Sequence, residues 1–250
     1  MKSRIMAHMV AGYPDAALSR KVARGLVEGG ASYLEVQFPF SDPTADGPDI
    51  QAACGAALEA GFTPDAGFRL VAEMTALSPI PLFVMSYANL VFTKGIEPFL
   101  LACRQAGAAG IIVPDLPPDS DEGLYSAAAR IGIHAMPVIS PSPRPERLSQ
   151  FAGLGTRYIY ATLRSGTTGA RTTIDSASLA FLASIAAAAR REPPLVMAGF
   201  GITSRDQVTA LEPHVHAVIV GSALVREVAR GGDIGRNVRE RLRGLVGREA

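Results

Sequence analysis

The sequence predicts a (β/α)8 barrel forming a single domain over residues 1–250. Three observations point there. The chain has 250 residues, close to the ~250 usual for that architecture. Eight short apolar or β-branched runs recur along it, and the segments between them begin with helix caps and end at glycines. Near-continuously apolar strands, unlike alternating ones, are what a parallel sheet covered by helices on both faces requires. The rival arrangement, an open doubly wound sheet, would normally carry a dinucleotide-binding glycine fingerprint after a strand, and none is present.

The first run, Ile5–Val10, is followed by Asp15 as a cap and by Leu18, Val22 and Leu26 at helical spacing, with Gly29 where that helix stops. The second run, Tyr33–Phe38, leads into a long loop, and Thr63-Pro64 opens another helix in cap-then-proline order. Leu82–Ser86 is the third run. Gly107 ends the segment that carries Phe99, Leu100 and Cys103, before the fourth run, Gly110–Pro114. Asp119 to Glu122 place acid at a helix amino end. His134–Ile139, Tyr158–Thr162, Leu195–Ala198 and Ala217–Val220 complete the eight. The longest uncharged stretch, Met74 to Thr93, is long enough for a bilayer, but its two prolines, serines and asparagine make it loop plus buried strand.

With 24 basic and 23 acidic residues, the formal net charge is +1. That argues against a face dedicated to nucleic acid or anionic lipid, both of which need clustered lysine or arginine. Any phosphate ligand must therefore be held locally. The chain carries 25 glycines and 18 prolines, a loop-rich composition. Cys54 and Cys103 form no metal-ligand spacing, and no secretory leader is apparent, so a cytoplasmic location is expected.

In a barrel, chemistry belongs to the loops at the carboxyl ends of the strands. Glu35 is the anomaly of the second strand. A carboxylate between Leu34 and Val36 should be costly to ionise, which suits an acid/base group near neutral pH; equally, it could be satisfied by a partner inside the barrel. Either Asp42 or Asp46 in the following loop could supply a second carboxylate. Gly199-Phe200-Gly201-Ile202-Thr203 and Gly221-Ser222-Ala223 follow strands seven and eight, where barrels often bind phosphate through bare amides. The same glycines could simply make tight turns. Arg164-Ser165-Gly166-Thr167-Thr168-Gly169 after strand six has the composition of a mobile lid. A Schiff-base aldolase needs a buried lysine, and Lys2, Lys21 and Lys94 all fall outside the strand candidates. The four histidines, His8, His134, His214 and His216, make no convincing metal set.

These segments together resemble the tryptophan synthase α subunit family. The stretch Glu35 to Gln51, with Phe38-Pro39-Phe40-Ser41-Asp42-Pro43 and Ala45-Asp46-Gly47-Pro48, is similar to that family's signature. Further matches follow in order: Tyr87 to Phe92 with Gly95-Ile96, Pro114-Asp115-Leu116-Pro117, Arg164-Ser165-Gly166 with Thr168-Gly169-Ala170, Gly199 to Ile202, and Gly221-Ser222-Ala223. The resemblance implies retro-aldol cleavage of indole-3-glycerol phosphate to indole and glyceraldehyde 3-phosphate, with no metal and no cofactor. It implies Glu35 as the acid/base and Asp46 as acceptor of the indole N–H. Thr168 would orient Asp46, and Tyr87 and Tyr160 would line the pocket. Gly169, Gly201, Gly221 and Ser222 would hold the phosphate. The implied partner is a tryptophan synthase β subunit in an α2β2 assembly. A stand-alone lyase on a related phosphate ester and a weakly active module that activates a β partner are the alternatives.

The departures from the family pattern cluster early. The helix that usually precedes strand one is expected to be missing. His8 stands where phenylalanine is usual, Val10 where threonine is, and Tyr13 where the family tends to have aspartate. Gln37 replaces a glycine on the face of the strand that carries Glu35, and a bond from its amide to Glu35 is expected.

Overall fold

The computed structural model describes residues 3–141, 148, 150–151, 153–163, 173–188 and 193–247. In chain order these form β1 (Ile5–Val10), α1 (Ala16–Gly29), β2 (Tyr33–Gln37), α2 (Pro48–Glu59), α3 (Pro64–Leu77), β3 (Leu82–Met85), α4 (Ala88–Lys94) and α5 (Ile96–Gln105). There follow β4 (Gly110–Ile112), α6 (Leu124–Ile131), β5 (His134–Ala135), β6 (Val138–Ile139), β7 (Tyr158–Thr162) and α7 (Ser176–Ala188). The last elements are β8 (Leu195–Gly199), α8 (Arg205–Leu211), β9 (Ala217–Val220), α9 (Ser222–Ala229) and α10 (Ile234–Val246).

The expected barrel is found, with one refinement. The strands form a single parallel sheet in the order β5-β4-β3-β2-β1-β9-β8-β7-β6, and the fifth predicted run, His134–Ile139, supplies both of its ends. Its first half pairs with β4, Gly110 opposite His134, and its second half with β7, Val138 opposite Tyr160. The break falls at Met136-Pro137, where proline lacks the N–H that a continuous ladder needs. The Met136 amide still donates to Ile111 on one side, and the Pro137 carbonyl accepts from Tyr160 on the other, each at 2.9 Å. One short covalent step thus closes the ring and removes its edges.

Local signals set the helices as the sequence predicts. Asp15 accepts from the Leu18 amide at 2.8 Å, and Thr63 caps α3 by accepting from Ala66. Helix α1 ends at the expected Gly29, with Gly30 in the left-handed conformation as its cap. Asp121 receives the Tyr125 amide at 2.8 Å at the start of α6. The uncharged stretch from Met74 runs through the end of α3, strand β3 and most of α4. Among the described residues no helix is long and apolar enough to cross a membrane, and none precedes β1.

Strand alternation divides the apolar residues into two layers. Ile5, Ala7, Leu34, Val36, Leu82, Val84, Ile111, Ile159 and Val218 point outward to the helices in the main core. Met6, Phe83, Met85, Ile112, Met136, Tyr158, Tyr160, Met197 and Ile219 fill the barrel interior. The end of the barrel where the strands begin is plugged by rings: Phe83 lies 5.1 Å from Tyr158, Tyr33 lies 6.4 Å from Tyr158, and His134 lies 5.1 Å from Tyr158. His216, just before β9, joins this floor by bonding to the Tyr33 hydroxyl at 2.7 Å and to Arg4 at 3.0 Å. It thus sits at the end opposite the loops that follow the strands.

Gly110 shows how little room the interior has. A β-carbon there would lie 2.4 Å from the Phe83 ring and 2.5 Å from the His134 carbonyl oxygen. Gly110→Ala is therefore expected to destabilise the protein by about 1–3 kcal/mol through overpacking. Gly244→Ala, in α10 with nothing within 4 Å of the added carbon, should stabilise it by ~0.5–1 kcal/mol through helix propensity. Thermal unfolding of the two variants checks both signs, and equal shifts would contradict the packing argument.

Candidate active site

The cavity lies at the carboxyl end of the barrel and includes His8, Glu35, Asp46, Tyr160, Gly201, Gly221 and Ser222 in its lining. Strand register brings the first two together. His8 and Glu35 are direct neighbours across the parallel pair β1–β2, both buried, with His8 Nδ1 3.4 Å from Glu35 Oε2. Burial opposes a charged imidazole, but the Glu35 carboxylate, by charge and hydrogen bond, and Asp46 beyond it outweigh that cost. They hold His8 above the ordinary histidine value.

The loop after β2 separates the two candidate aspartates. Asp42 stays exposed, bonded to the Ser41 hydroxyl, whereas Asp46 is turned into the barrel mouth and buried. The Tyr87 hydroxyl donates to Asp46 Oδ2 at 2.7 Å, and the Gln37 amide donates to the same oxygen at 2.8 Å. The tyrosine oxygen in turn accepts from the Ala45 amide, and Gln51 donates to the Asp46 backbone carbonyl. Burial pushes the Asp46 carboxyl above the usual carboxylate range. The Tyr87 bond, the His8 charge and the Gln37 bond pull it back in part, and Glu35 adds to the rise.

Gln37 corrects an expectation. Its amide reaches across to Asp46 and, at 3.4 Å, to Cys54 Sγ, and no bond to Glu35 is among its contacts. The reason is geometric: Gln37 sits one pleat closer to the strand end, where the returning loop delivers Asp46 and α2 delivers Cys54. Burial pushes that thiol up to about 12, so Cys54 packs as an inert apolar group. Tyr87 also takes an unexpected place. It is almost fully buried behind Asp46, stacked on Phe40 at 5.5 Å, and lies outside the cavity lining, reaching the site through its hydroxyl. Tyr160 does line the cavity, and burial is the main cause that drives its phenol far above the ordinary value.

The phosphate candidates face the two carboxylates from β8 and β9. Phe200 and Gly201 have φ of 88° and 73°, a left-handed pair that is unusual for phenylalanine and common at functional turns. Gln207 holds this loop, donating to the Gly201 carbonyl at 3.0 Å and accepting from the Thr203 and Ser204 amides. Gly221 is the N-cap of α9, so the first amides of that helix have no side-chain cap, at the end where Gly221 and Ser222 line the cavity. Arg226 of α9 and Asp49 of α2 form an ion pair at 2.6 Å, which fixes the helix carrying Ser222 against the one that follows Asp46. Asp115, from the Pro114-Asp115-Leu116-Pro117 motif, accepts from the Ala88 amide at 2.9 Å and ties the loop after β4 to α4.

Thr168 and Gly169, with the whole candidate lid, lie outside the described residues. Sequence reasoning missed the apolar wall of the cavity: Met85, Ile112, Val138, Phe200 and Ile219. Parity along the strands could have identified four of them, since each lies on the inward face; nothing in the sequence marks Phe200.

Comparison with known proteins agrees with this geometry. The family model for the tryptophan synthase alpha chain matches residues 1–249. The tryptophan synthase alpha chain of Helicobacter hepaticus is 38% identical over 234 residues, covering 91% of this chain and 86% of that one. That of Desulfotalea psychrophila is 36% identical over 228 residues, covering 91% and 89%. Among solved structures, Mycobacterium tuberculosis tryptophan synthase superposes with a TM-score of 0.89 at 30% identity, covering 98% of this chain and 92% of that one. The tryptophan synthase complex of Pyrococcus furiosus gives 0.87 at 28%, covering 99% and 100%. Matched along almost its whole length and carrying the carboxylates and glycine loops of the signature in one cavity, this chain belongs to the tryptophan synthase alpha chain family.

Proposed function

We propose that this chain is a carbon–carbon lyase that cleaves indole-3-glycerol phosphate to indole and glyceraldehyde 3-phosphate in tryptophan biosynthesis. The observation that carries the reading is the pair of buried carboxylates, Glu35 and Asp46, lining one cavity of a family barrel. In this proposal Asp46 accepts the indole N–H and stabilises positive charge on the ring as C3 takes up a proton. Glu35 delivers that proton and receives one from the hydroxyl on the carbon bonded to C3. The carbon–carbon bond breaks with its electrons returning to the ring, a carbonyl forms on the glycerol carbon, and no net proton is gained or lost.

The flat walls of Met85, Ile112 and Tyr160 suit an aromatic ring, and Gly201, Gly221 and Ser222 suit a phosphate held by amides and one hydroxyl. Tyr87 would act by fixing Asp46. Thr168 and Gly169 enter on the resemblance alone, as orienter of Asp46 and as a phosphate amide. The proposal includes a single domain over 1–250, a cytoplasmic location and association with a tryptophan synthase β subunit as α2β2.

The deciding experiment is an indole-release assay on indole-3-glycerol phosphate, with and without a β subunit. Release in either arm is expected; none in both would overturn the reading. Glu35→Gln and Asp46→Asn should each lower kcat by roughly 10²–10⁴, and near-normal turnover would remove that residue from the mechanism.

Asp46→Asn carries a second expectation. Because the folded state raises this carboxyl, it binds the proton more tightly than the unfolded chain does. That contribution favours the fold at low pH and is lost as pH rises through the folded value, leaving a buried charge at neutral pH. The variant should therefore melt higher at neutral pH, by about 2–4 °C for each ~1 kcal/mol recovered in a chain of this size. A lower melting point would contradict the sign. Gly221→Ala, whose added carbon makes ordinary contact with His8 at 3.7 Å, should leave folding intact and weaken inhibition by glycerol 3-phosphate about tenfold. Unchanged inhibition would place the phosphate elsewhere.

A further inference from the structure

His8 is a buried titratable group that the mechanism above leaves unused. Its ring lies between the two halves of the site. Nδ1 faces Glu35 at 3.4 Å, while the side of the ring that carries Cδ2 stands beside Gly221, within 3.8 Å of where a β-carbon there would be. The ring lines the cavity, and Nε2, bonded to Cδ2, is buried with no hydrogen-bond partner among the described residues. Glu35 Oε2 is likewise buried, with the 3.4 Å approach of His8 Nδ1 as its polar contact. A buried ring nitrogen left without a partner is costly unless a ligand atom completes it.

We propose that His8 is a further substrate-binding residue: its ring, protonated, keeps Nδ1–H toward Glu35 and offers Nε2–H to an oxygen of the glycerol phosphate arm bound at Gly221. The inference rests on the function proposed above and adds a residue to the same site. The charged groups acting on the ring are Glu35 on the neighbouring strand and Asp46 on the loop behind it. The surfaces presented by β9 and α9 are uncharged, through Ile219, Ser222, Leu224, Val225 and Val228, and Tyr160 across the cavity and Tyr13 on the other side are neutral phenols. A cation flanked by two carboxylates on one side and by the phosphate amides on the other bridges the acid/base to the anion. Where phenylalanine stands at this position, the ring can supply the wall but no donor. In this chain ester binding becomes pH-dependent.

The test measures binding of glycerol 3-phosphate by calorimetry between pH 6.5 and 9.5 for the wild type, His8→Phe and His8→Gln. The wild type should bind about ten- to a hundredfold more tightly than His8→Phe at pH 7, the worth of one hydrogen bond from a charged donor. That advantage should decay as the pH rises above the ordinary histidine range. His8→Gln should recover part of the affinity with a flat profile, because an amide donates without titrating. The wild-type imidazole should also show nitrogen shifts of a doubly protonated ring at pH 7, with Nε2 moving when glycerol 3-phosphate is added. This readout needs no variant to fold. Equal affinity and equal pH profiles in wild type and His8→Phe, or a neutral ring insensitive to the ligand, would overturn the proposal. If indole release persists in the wild type while His8 fails these tests, only the role of His8 falls. If the wild type releases no indole with or without a β subunit, the lyase reading falls and this proposal with it.

Discussion

A carboxylate withdrawn from water has to be surrounded by donors, and the arrangement of the barrel mouth follows from meeting that demand at Asp46. Two donors converge on a single oxygen, Tyr87 from the turn after β3 and Gln37 from the end of β2. The loop that carries Asp46 is then pinned by its own backbone, through Ala45 to the tyrosine oxygen and through Gln51 to the Asp46 carbonyl. Leaving one partner out would strand a buried charge, typically a loss of several kcal/mol. The carboxylate and its supports therefore behave as one unit, and the start of α2 is set by the same contacts. The other oxygen of Asp46 receives neither of these two donors.

Closure of the sheet makes that convergence possible. Side chains from β1, β2, β3, β4, β6, β7 and β9 face one cavity only because the strand split at Met136-Pro137 pairs in both directions. The interior is then graded along its axis. Rings of Tyr33, Phe83 and Tyr158 fill one end, and His8, Glu35 and Asp46 occupy the other. An apolar plug beneath His8, Glu35 and Asp46 keeps water from screening them from below, so their mutual charges act at short range in a poorly polarisable setting. Both His8 and Asp46 are raised in that setting, the first by its carboxylate neighbours against the cost of burial and the second by burial itself.

Much of the fold was legible. The eight apolar runs fall on the strands, and the caps at Asp15 and Thr63 act as such, because burial on both faces and local capping are properties of short segments. The break inside the fifth strand was not read, although Pro137 announces it, since whether a proline interrupts a strand depends on which neighbour each half meets. At the site, Glu35 was legible as a charge in an apolar strand. Asp46 could not be told from Asp42 by spacing, because the choice rests on the path of a ten-residue loop. Gln37 was assigned to the wrong carboxylate for the same reason: parity shows which face a side chain occupies but not what another loop will bring against it.

By itself the sequence determined the class of fold, the order of its elements, the near-zero charge that leaves phosphate to backbone amides, and the residues that match the family. These follow from periodicity, composition and local chemistry, which operate over a few residues. Only the tertiary structure decided which aspartate is buried, that Tyr87 reaches Asp46 from behind the cavity wall, and that His8 lies between Glu35 and Gly221. Those outcomes depend on the stagger of strands in a closed barrel, which places residues distant in sequence within a few ångströms of one another. No local pattern encodes that distance.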